Sequence, residues 1–324
     1  TFGAPVNVAA AFNADPANIP ADVPEDRRRP ENFGGSNLSL AVDAGGAVYG
    51  AWGRSTANIT PAPPGVTVLS RSADGGATWT SSLLLAADPN RTGPSGLTLA
   101  WAPAGGPNGS LHTVWEGKLT TVQGDRDTLY QRSVDEGRTW SEPRLLNDDD
   151  PAELFGQFQP SLAVAPNGRL EVAWWDMRDS AGLFATDVYG VSSTDNGETW
   201  SANRRITDRI IDRTIGVWKP GTGGDVRQPP GLAAADALTV VMWDDTRNGS
   251  PQVETQDLFA ATVQYSALAR TSGLSRTAGY LLAGSIGVLA VGLVLAIGSV
   301  VMRGRNARGP AAPAASGRAP VEVG

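Results

Sequence analysis

The chain has 324 residues, no cysteine, one histidine and a formal net charge of −7. Disulfides and thiolate metal sites are excluded, and an acidic balance with no basic stripe argues against a nucleic-acid partner. No cofactor or metal is indicated: zinc at His112 would need partners that the sequence lacks, and Leu111-His-Thr-Val-Trp115 reads as a strand.

In chain order, Thr1-Phe-Gly-Ala-Pro-Val-Asn-Val8 lines up with Thr139-Trp-Ser-Glu-Pro-Arg-Leu-Leu146. The chain therefore reads as opening inside a repeat unit, with Pro5–Ala9 as a strand able to close the last unit. Short apolar and β-branched runs then predict a first and a second strand four times over. They are Leu38–Val42 with Ala47–Trp52, Leu97–Trp101 with Leu111–Trp115, Ser161–Ala165 with Leu170–Trp174, and Leu232–Ala235 with Leu238–Trp243. Pro166-Asn-Gly168 is a tight turn between such a pair. Asp187–Ser193 predicts a third strand and Trp200–Thr207 a fourth; in the last unit Asp257–Tyr265 is a third strand with no fourth after it.

Residues 269–279 read as a juxtamembrane linker. No charge lies between Arg276 and Arg303, and 280–302 is apolar and long enough to cross a bilayer as a helix. Arg303, Arg305 and Arg308 follow it, which favours a cytoplasmic C-terminus and an external 1–268. The Pro-, Ala- and Gly-rich tail, 303–324, is expected to be disordered. The expected place is therefore the cell membrane, single-pass. An exported domain needs a signal, and none opens this chain, so its N-terminus reads as processed or truncated.

One motif recurs at a spacing of about sixty residues, the period of a repeat architecture. Its copies are Ser72-Ala-Asp-Gly-Gly-Ala-Thr-Trp79, Ser133-Val-Asp-Glu-Gly-Arg-Thr-Trp140 and Ser193-Thr-Asp-Asn-Gly-Glu-Thr-Trp200. Asp74, Asp135 and Asp195 can accept hydrogen bonds from the backbone of the turn that they begin. Gly76, Gly137 and Gly197 supply positive φ, Ser72, Ser133 and Ser193 add a local bond, and Trp79, Trp140 and Trp200 plug the space between sheets. Turn chemistry accounts for every fixed position, so these residues are assigned structural rather than catalytic roles.

S-x-D-x-G-x-T-W is the Asp-box, and the chain resembles the sialidase-like (BNR/Asp-box) β-propeller superfamily. The resemblance covers 1–268 and implies an all-β propeller of four-stranded antiparallel blades. About four are visible here, against the six usual in the family. It also implies an exo-α-sialidase as one function, which requires an arginine triad, an aspartate acid/base and a tyrosine nucleophile activated by glutamate. Tyr49, Tyr130, Tyr189 and Tyr265 all read as strand residues and no Arg-Ile-Pro signature is found, so the catalytic set does not transfer residue by residue. The other function is a surface propeller that recognises a glycan or a cell-surface protein without catalysis.

In an up-and-down blade, the motif turns share one end with the turns between strands one and two. Long loops gather at the other end: 53–65, 148–159, 211–230 and 244–256. There a basic residue follows the Trp that ends each second strand: Arg54, Lys118, Arg178 and Arg247. With Asp176, Asp244 and Asp245, these are the candidate ligand-binding residues. A ring of cations could grip an anionic sugar. Alternatively, Asp176 with Arg178, and Asp244 or Asp245 with Arg247, pair to brace the loops, with Asp187 and Asp257 as natural further partners.

Overall fold

In the computed structural model, the described residues are 4–15, 18, 34–55, 66–85, 95–117, 126–150, 156–180, 184–216 and 228–265. A short helix, α1 (Ala10–Ala14), is followed by strands only. The first sheet is β1 (Gly34–Val42), β2 (Val48–Ser55), β3 (Val66–Ser72) and β4 (Thr80–Leu85). The second is β5 (Ser95–Ala102), β6 (Ser110–Gly117), β7 (Asp127–Ser133) and β8 (Arg144–Leu145). The third is β9 (Gln157–Val164), β10 (Leu170–Asp176), β11 (Ala185–Ser193) and β12 (Arg204–Arg205), with β13 (Ile211–Asp212) paired to the start of β11. The last is β14 (Gly231–Ala234), β15 (Leu238–Asp245) and β16 (Asp257–Gln264). Pairing is antiparallel throughout.

The first strands of successive sheets are neighbours, β1 against β5, β5 against β9 and β9 against β14. The sheets are thus consecutive blades, and side chains from facing blades fill the space between them. This is why β10 is buried along its whole length, although an antiparallel strand with one wet face would alternate. Trp115 belongs to the cluster between blades one and two, Trp174 to that between two and three, and Trp243 to that between three and four. The register of the first strand slips opposite Trp52, Trp115 and Trp174, a bulge repeated in three blades.

Several expectations change. Residues 4–9 form no strand; they lead into α1, whose Phe12 packs edge-on to Trp52 at 6.0 Å. The N-terminal segment therefore lies on the outer face of the first blade and does not complete the last one. Phe12, in the middle of α1, is buried with Trp52, Val66 and Val68, and removing that apolar surface from water holds the segment here. β8 and β12 are two residues each, shorter than the predicted fourth strands. Part of the loop 211–230 is strand β13, and Tyr265 falls one residue beyond β16. Among the described residues no helix is long and apolar enough to cross a membrane. The linker 269–279, the span 280–302 and the tail 303–324 lie outside the described residues.

Candidate functional site

The motif turns are built alike. In the third, Ser193 Oγ donates to Asp195 Oδ1 at 2.8 Å and accepts from the Gly197 N–H at 2.9 Å. Asp195 takes the Thr199 N–H on Oδ1 at 2.9 Å and the Thr199 hydroxyl on Oδ2 at 2.5 Å. Asp135 and Asp74 hold Thr139 and Thr78 in the same way. Those Thr78 bonds hold Asp74 down to about 2. Burial opposes the same shift at Asp195, yet the bonds from Thr199 and Ser193 bring it to about 2 as well. These carboxylates stay ionised and saturated, which suits a staple and not a proton donor. The second and third turns also wedge the preceding blade: in the third, Arg132 donates to the Asn196 carbonyl at 2.8 Å, and Trp200 meets Tyr130 edge-on at 4.9 Å.

At the loop-bearing end, the Trp-x-Asp-x-Arg segments of blades three and four share one geometry. Asp176 accepts from Trp174 Nε1 at 2.8 Å, from the Arg178 N–H at 2.9 Å and from the Arg178 guanidinium at 3.0 and 2.9 Å. Asp245 accepts from Trp243 Nε1 at 3.1 Å, from the Arg247 N–H at 2.8 Å and from the Arg247 guanidinium at 3.0 and 2.7 Å. Each arginine then reaches back to the blade before it. Arg178 bonds Asp148 at 2.7 Å, and Arg247 bonds Asp208 at 3.2 and 2.7 Å. Rings close the stack, Tyr189 at 4.3 Å from Arg178 and Phe259 at 4.0 Å from Arg247. Bonds from Asp245 and Asp208 raise the Arg247 pKa above its ordinary value. At Arg178 burial opposes that rise, and the bonds from Asp176 overcome it.

Arg178 and Arg247 make the pairs that the bracing reading requires, with different outer partners from those expected. Asp187 accepts from Arg205 and Thr207 at 2.8 and 2.6 Å, and Asp257 accepts from Asn248 at 2.8 Å. Asp187 is thus bonded to the fourth strand and Asp257 to the loop of its own blade. Asp148 and Asp208 fill the role instead, because they follow the fourth strand and so face the next blade. Asp244 points apart from Arg247, accepts from Gln256, and lines a cavity of about 10 Å³ with Trp175, Thr186 and Arg213. Burial lowers the Arg213 pKa. The Arg54 side chain and all of Lys118 lie outside the described residues.

A tyrosine–glutamate pair does exist. The Tyr265 hydroxyl donates to Glu171 Oε2 at 3.0 Å, Arg204 donates to Tyr265 at 3.1 Å, and Arg169 stacks 3.8 Å from the ring. The pair lies at the motif-turn end, where β10 begins and β16 ends. Arg169 and Glu171, bonded at 2.5 Å, have side chains 0% and 5% exposed, so the cluster latches blades three and four together, with Tyr265 half-buried and Arg204 exposed at its edge. Sequence reading missed it because Tyr265 and Glu171 are far apart in the chain and meet only where blades three and four stack.

A second missed group lies at the loop-bearing end, between blades two and three. Glu116 is 7% exposed and takes Arg126, itself 58% exposed, at 2.6 Å, while the Gln159 N–H points to its other oxygen at 3.3 Å. Gln159 occupies the bulge of β9 with φ 50°, and Gly96 occupies the same bulge of β5 with φ 61°. Glycine adopts this region freely, whereas a glutamine there costs about 1–2 kcal/mol. Gln159 Oε1 is buried and has no hydrogen-bond partner among the described residues. The sequence does carry a signal: Glu116, unlike the residues aligned with it in β10 and β15, precedes a glycine and then the basic Lys118. Among the described residues, no group of His, Asp or Glu is arranged to hold a metal ion.

No protein-family description and no curated protein matches the chain. Solved structures do. An alpha-L-arabinofuranosidase of Fusarium graminearum with arabinobiose is 17% identical at a TM-score of 0.46, covering 76% of this chain and 68% of its own. A Penicillium chrysogenum alpha-L-arabinanase complexed with arabinobiose is 16% identical at 0.45, covering 75% and 65%. A Hadza microbial sialidase is 14% identical at 0.44, covering 73% of this chain and 47% of its own. These likenesses transfer no residue role, and the blade architecture stands on the sheets described above.

Proposed function

We propose that 1–268 is a sialidase-like propeller that recognises a glycan or a cell-surface protein at its loop-bearing end and catalyses nothing there. The observation that carries this reading is the commitment of Arg178 and Arg247. Carboxylates from adjacent blades hold each guanidinium, Asp176, Asp148 and Asp149 at Arg178 and Asp245 and Asp208 at Arg247, so these arginines are spent on rigidity. A stiff scaffold presenting loops is what recognition requires. The Asp-box turns belong to the same scaffold.

The propeller is proposed to lie outside the cell, anchored through 280–302 with 303–324 inside. Protease added to intact cells should digest the propeller and spare a C-terminal tag; the reverse pattern would reject this orientation. The second reading, an exo-α-sialidase, draws on the Tyr265–Glu171 bond. The position of that pair at the motif-turn end, with Glu171 committed to the buried Arg169, speaks against it. Hydrolysis of a fluorogenic sialoside by the intact protein, lost in Tyr265→Phe, would reverse the preference. Binding of the propeller to a glycan array without such hydrolysis would support recognition.

A further inference from the structure

We propose that the face of blade one turned away from blade two receives the free face of blade four from a second copy of this chain, so that copies associate head to tail. The interfaces already built show what each open face is shaped to meet. Between blades one and two, Leu99 of β5 is 3% exposed. Its counterpart in blade one is Leu40, because each pairs with the residue two places before the second-strand Trp, Thr113 and Gly50 respectively. Leu40 is 59% exposed, and Leu38 and Val42 beside it are exposed as well. Leu38 and Leu40, with Val48, Trp79 and Val6, line an open groove of about 650 Å³. Phe12 covers only the Trp52 end of this face. A contiguous apolar surface of this kind marks an interaction site.

Blade four carries the matching face. Leu258 pairs with Asp244 as Val188 pairs with Trp175, each opposite the residue that follows the second-strand Trp. Val188 is 0% exposed against blade four, whereas Leu258 is 75% exposed. Ala260 and Thr262 are exposed on the same side, since residues two apart share one face of a strand. The charges match too. Arg71 and Arg132 cross to the next motif turn, where Arg71 meets Glu136 at 3.4 Å and Arg132 meets Glu198. The first motif turn has Gly75 and Ala77 at those two glutamate positions, and β16 has Thr262 at the arginine position. At these positions, neither open face would bury a charge without a partner.

The chain has no cysteine, so single cysteines report contact without background. Leu40→Cys and Leu258→Cys, both at exposed positions, are coexpressed as full chains and treated in detergent with a short bismaleimide, while sedimentation gives the mass of the wild type. The wild type is expected to sediment as a dimer or larger, and the coexpressed pair to yield a cross-linked dimer. Either variant alone should stay uncrosslinked, since each carries one half of the contact. Leu40→Cys coexpressed with Val134→Cys, exposed on the second motif turn, should also stay uncrosslinked. Leu40→Glu should weaken association tenfold or more at an unchanged melting temperature. A monomeric wild type would overturn the proposal, whether its two faces are bare or covered by further residues of the same polypeptide. So would a coexpressed pair that does not cross-link, or one that cross-links no better than the Val134→Cys control. Cross-linking of Leu40→Cys by itself would overturn it in favour of two like faces meeting.

Discussion

Tyr130 of the second blade sits directly on Gly197 of the third: a methyl group on that glycine would fall 1.8 Å from the Tyr130 hydroxyl. The hydroxyl cannot retreat, because it is bonded to His112 Nδ1 at 2.8 Å, and His112 Nε2 is in turn bonded to Ser110 at 2.8 Å. The blade before repeats the contact, with Leu69 2.1 Å from where a methyl on Gly137 would stand. The motif glycine thus serves two masters, a turn with φ of 80° and a neighbour at van der Waals distance.

Gly197→Ala should therefore cost about 2–5 kcal/mol, the sum of a left-handed backbone and an overpacked interface. Gly76→Ala is the control. Its φ is 94°, but the nearest atom to an added methyl is 3.9 Å away, at Trp79, beside an open groove of about 650 Å³. It should lose only the backbone share, about 1–2 kcal/mol. Urea denaturation of the two variants measures the difference, and equal losses would refute the wedge.

Burial first, and the Arg132 charge second, lower the only histidine, His112, from 6.5 to about 3, against a weaker bond from Asn196. In the unfolded chain it titrates near ~6.5. Between these values the unfolded state binds the extra proton, so stability rises with pH there. The stabilisation is complete above about pH 6.5 and is lost as pH falls toward about 3. The slope should approach about 1.4 kcal/mol per pH unit for one proton. His112→Gln should remove that slope; its persistence would point to another group.

Asp195→Ala should cost about 1–2 kcal/mol through the lost turn bonds and leave ligand affinity unchanged, since the turn is at the opposite end from the loops. The depressed carboxylates also set an acid limit. Their stabilisation is full above the unfolded aspartate value of ~3.9 and is lost as pH falls through about 2. Denaturation followed from pH 5 to 2 should flatten at its acid end in Asp195→Ala. Lost binding at unchanged stability would contradict the placement.

Arg247→Ala should destabilise by about 2–4 kcal/mol. Removing one partner of a buried pair leaves an uncompensated charge, here Asp245, whose side chain is fully buried. The value stays below the full range for buried pairs because Asp208 is 69% exposed. Arg247→Lys should not restore stability, since lysine lacks the planar fork that reaches both aspartates. Affinity for any glycan should change little; a large loss of binding at constant melting temperature would return Arg247 to the ligand site.

The repeat, the blades and the staple chemistry of the motif turns were legible in the sequence, because each depends on residues close together in the chain. A Ser, an Asp and a Thr within seven positions find one another whatever surrounds them. Strand pairing across a tight turn is local in the same sense. The outer partners of Arg178 and Arg247, the Tyr265–Glu171 latch and the Gln159–Glu116 contact were not legible. Each joins side chains from different blades, and which carboxylate meets which guanidinium depends on how far one sheet is rotated over the next. Sequence pattern determined what every blade is; only stacking decided that Asp148 and Asp208 neutralise the arginines, and that one bulge, among several alike, holds a glutamine where a glycine would fit.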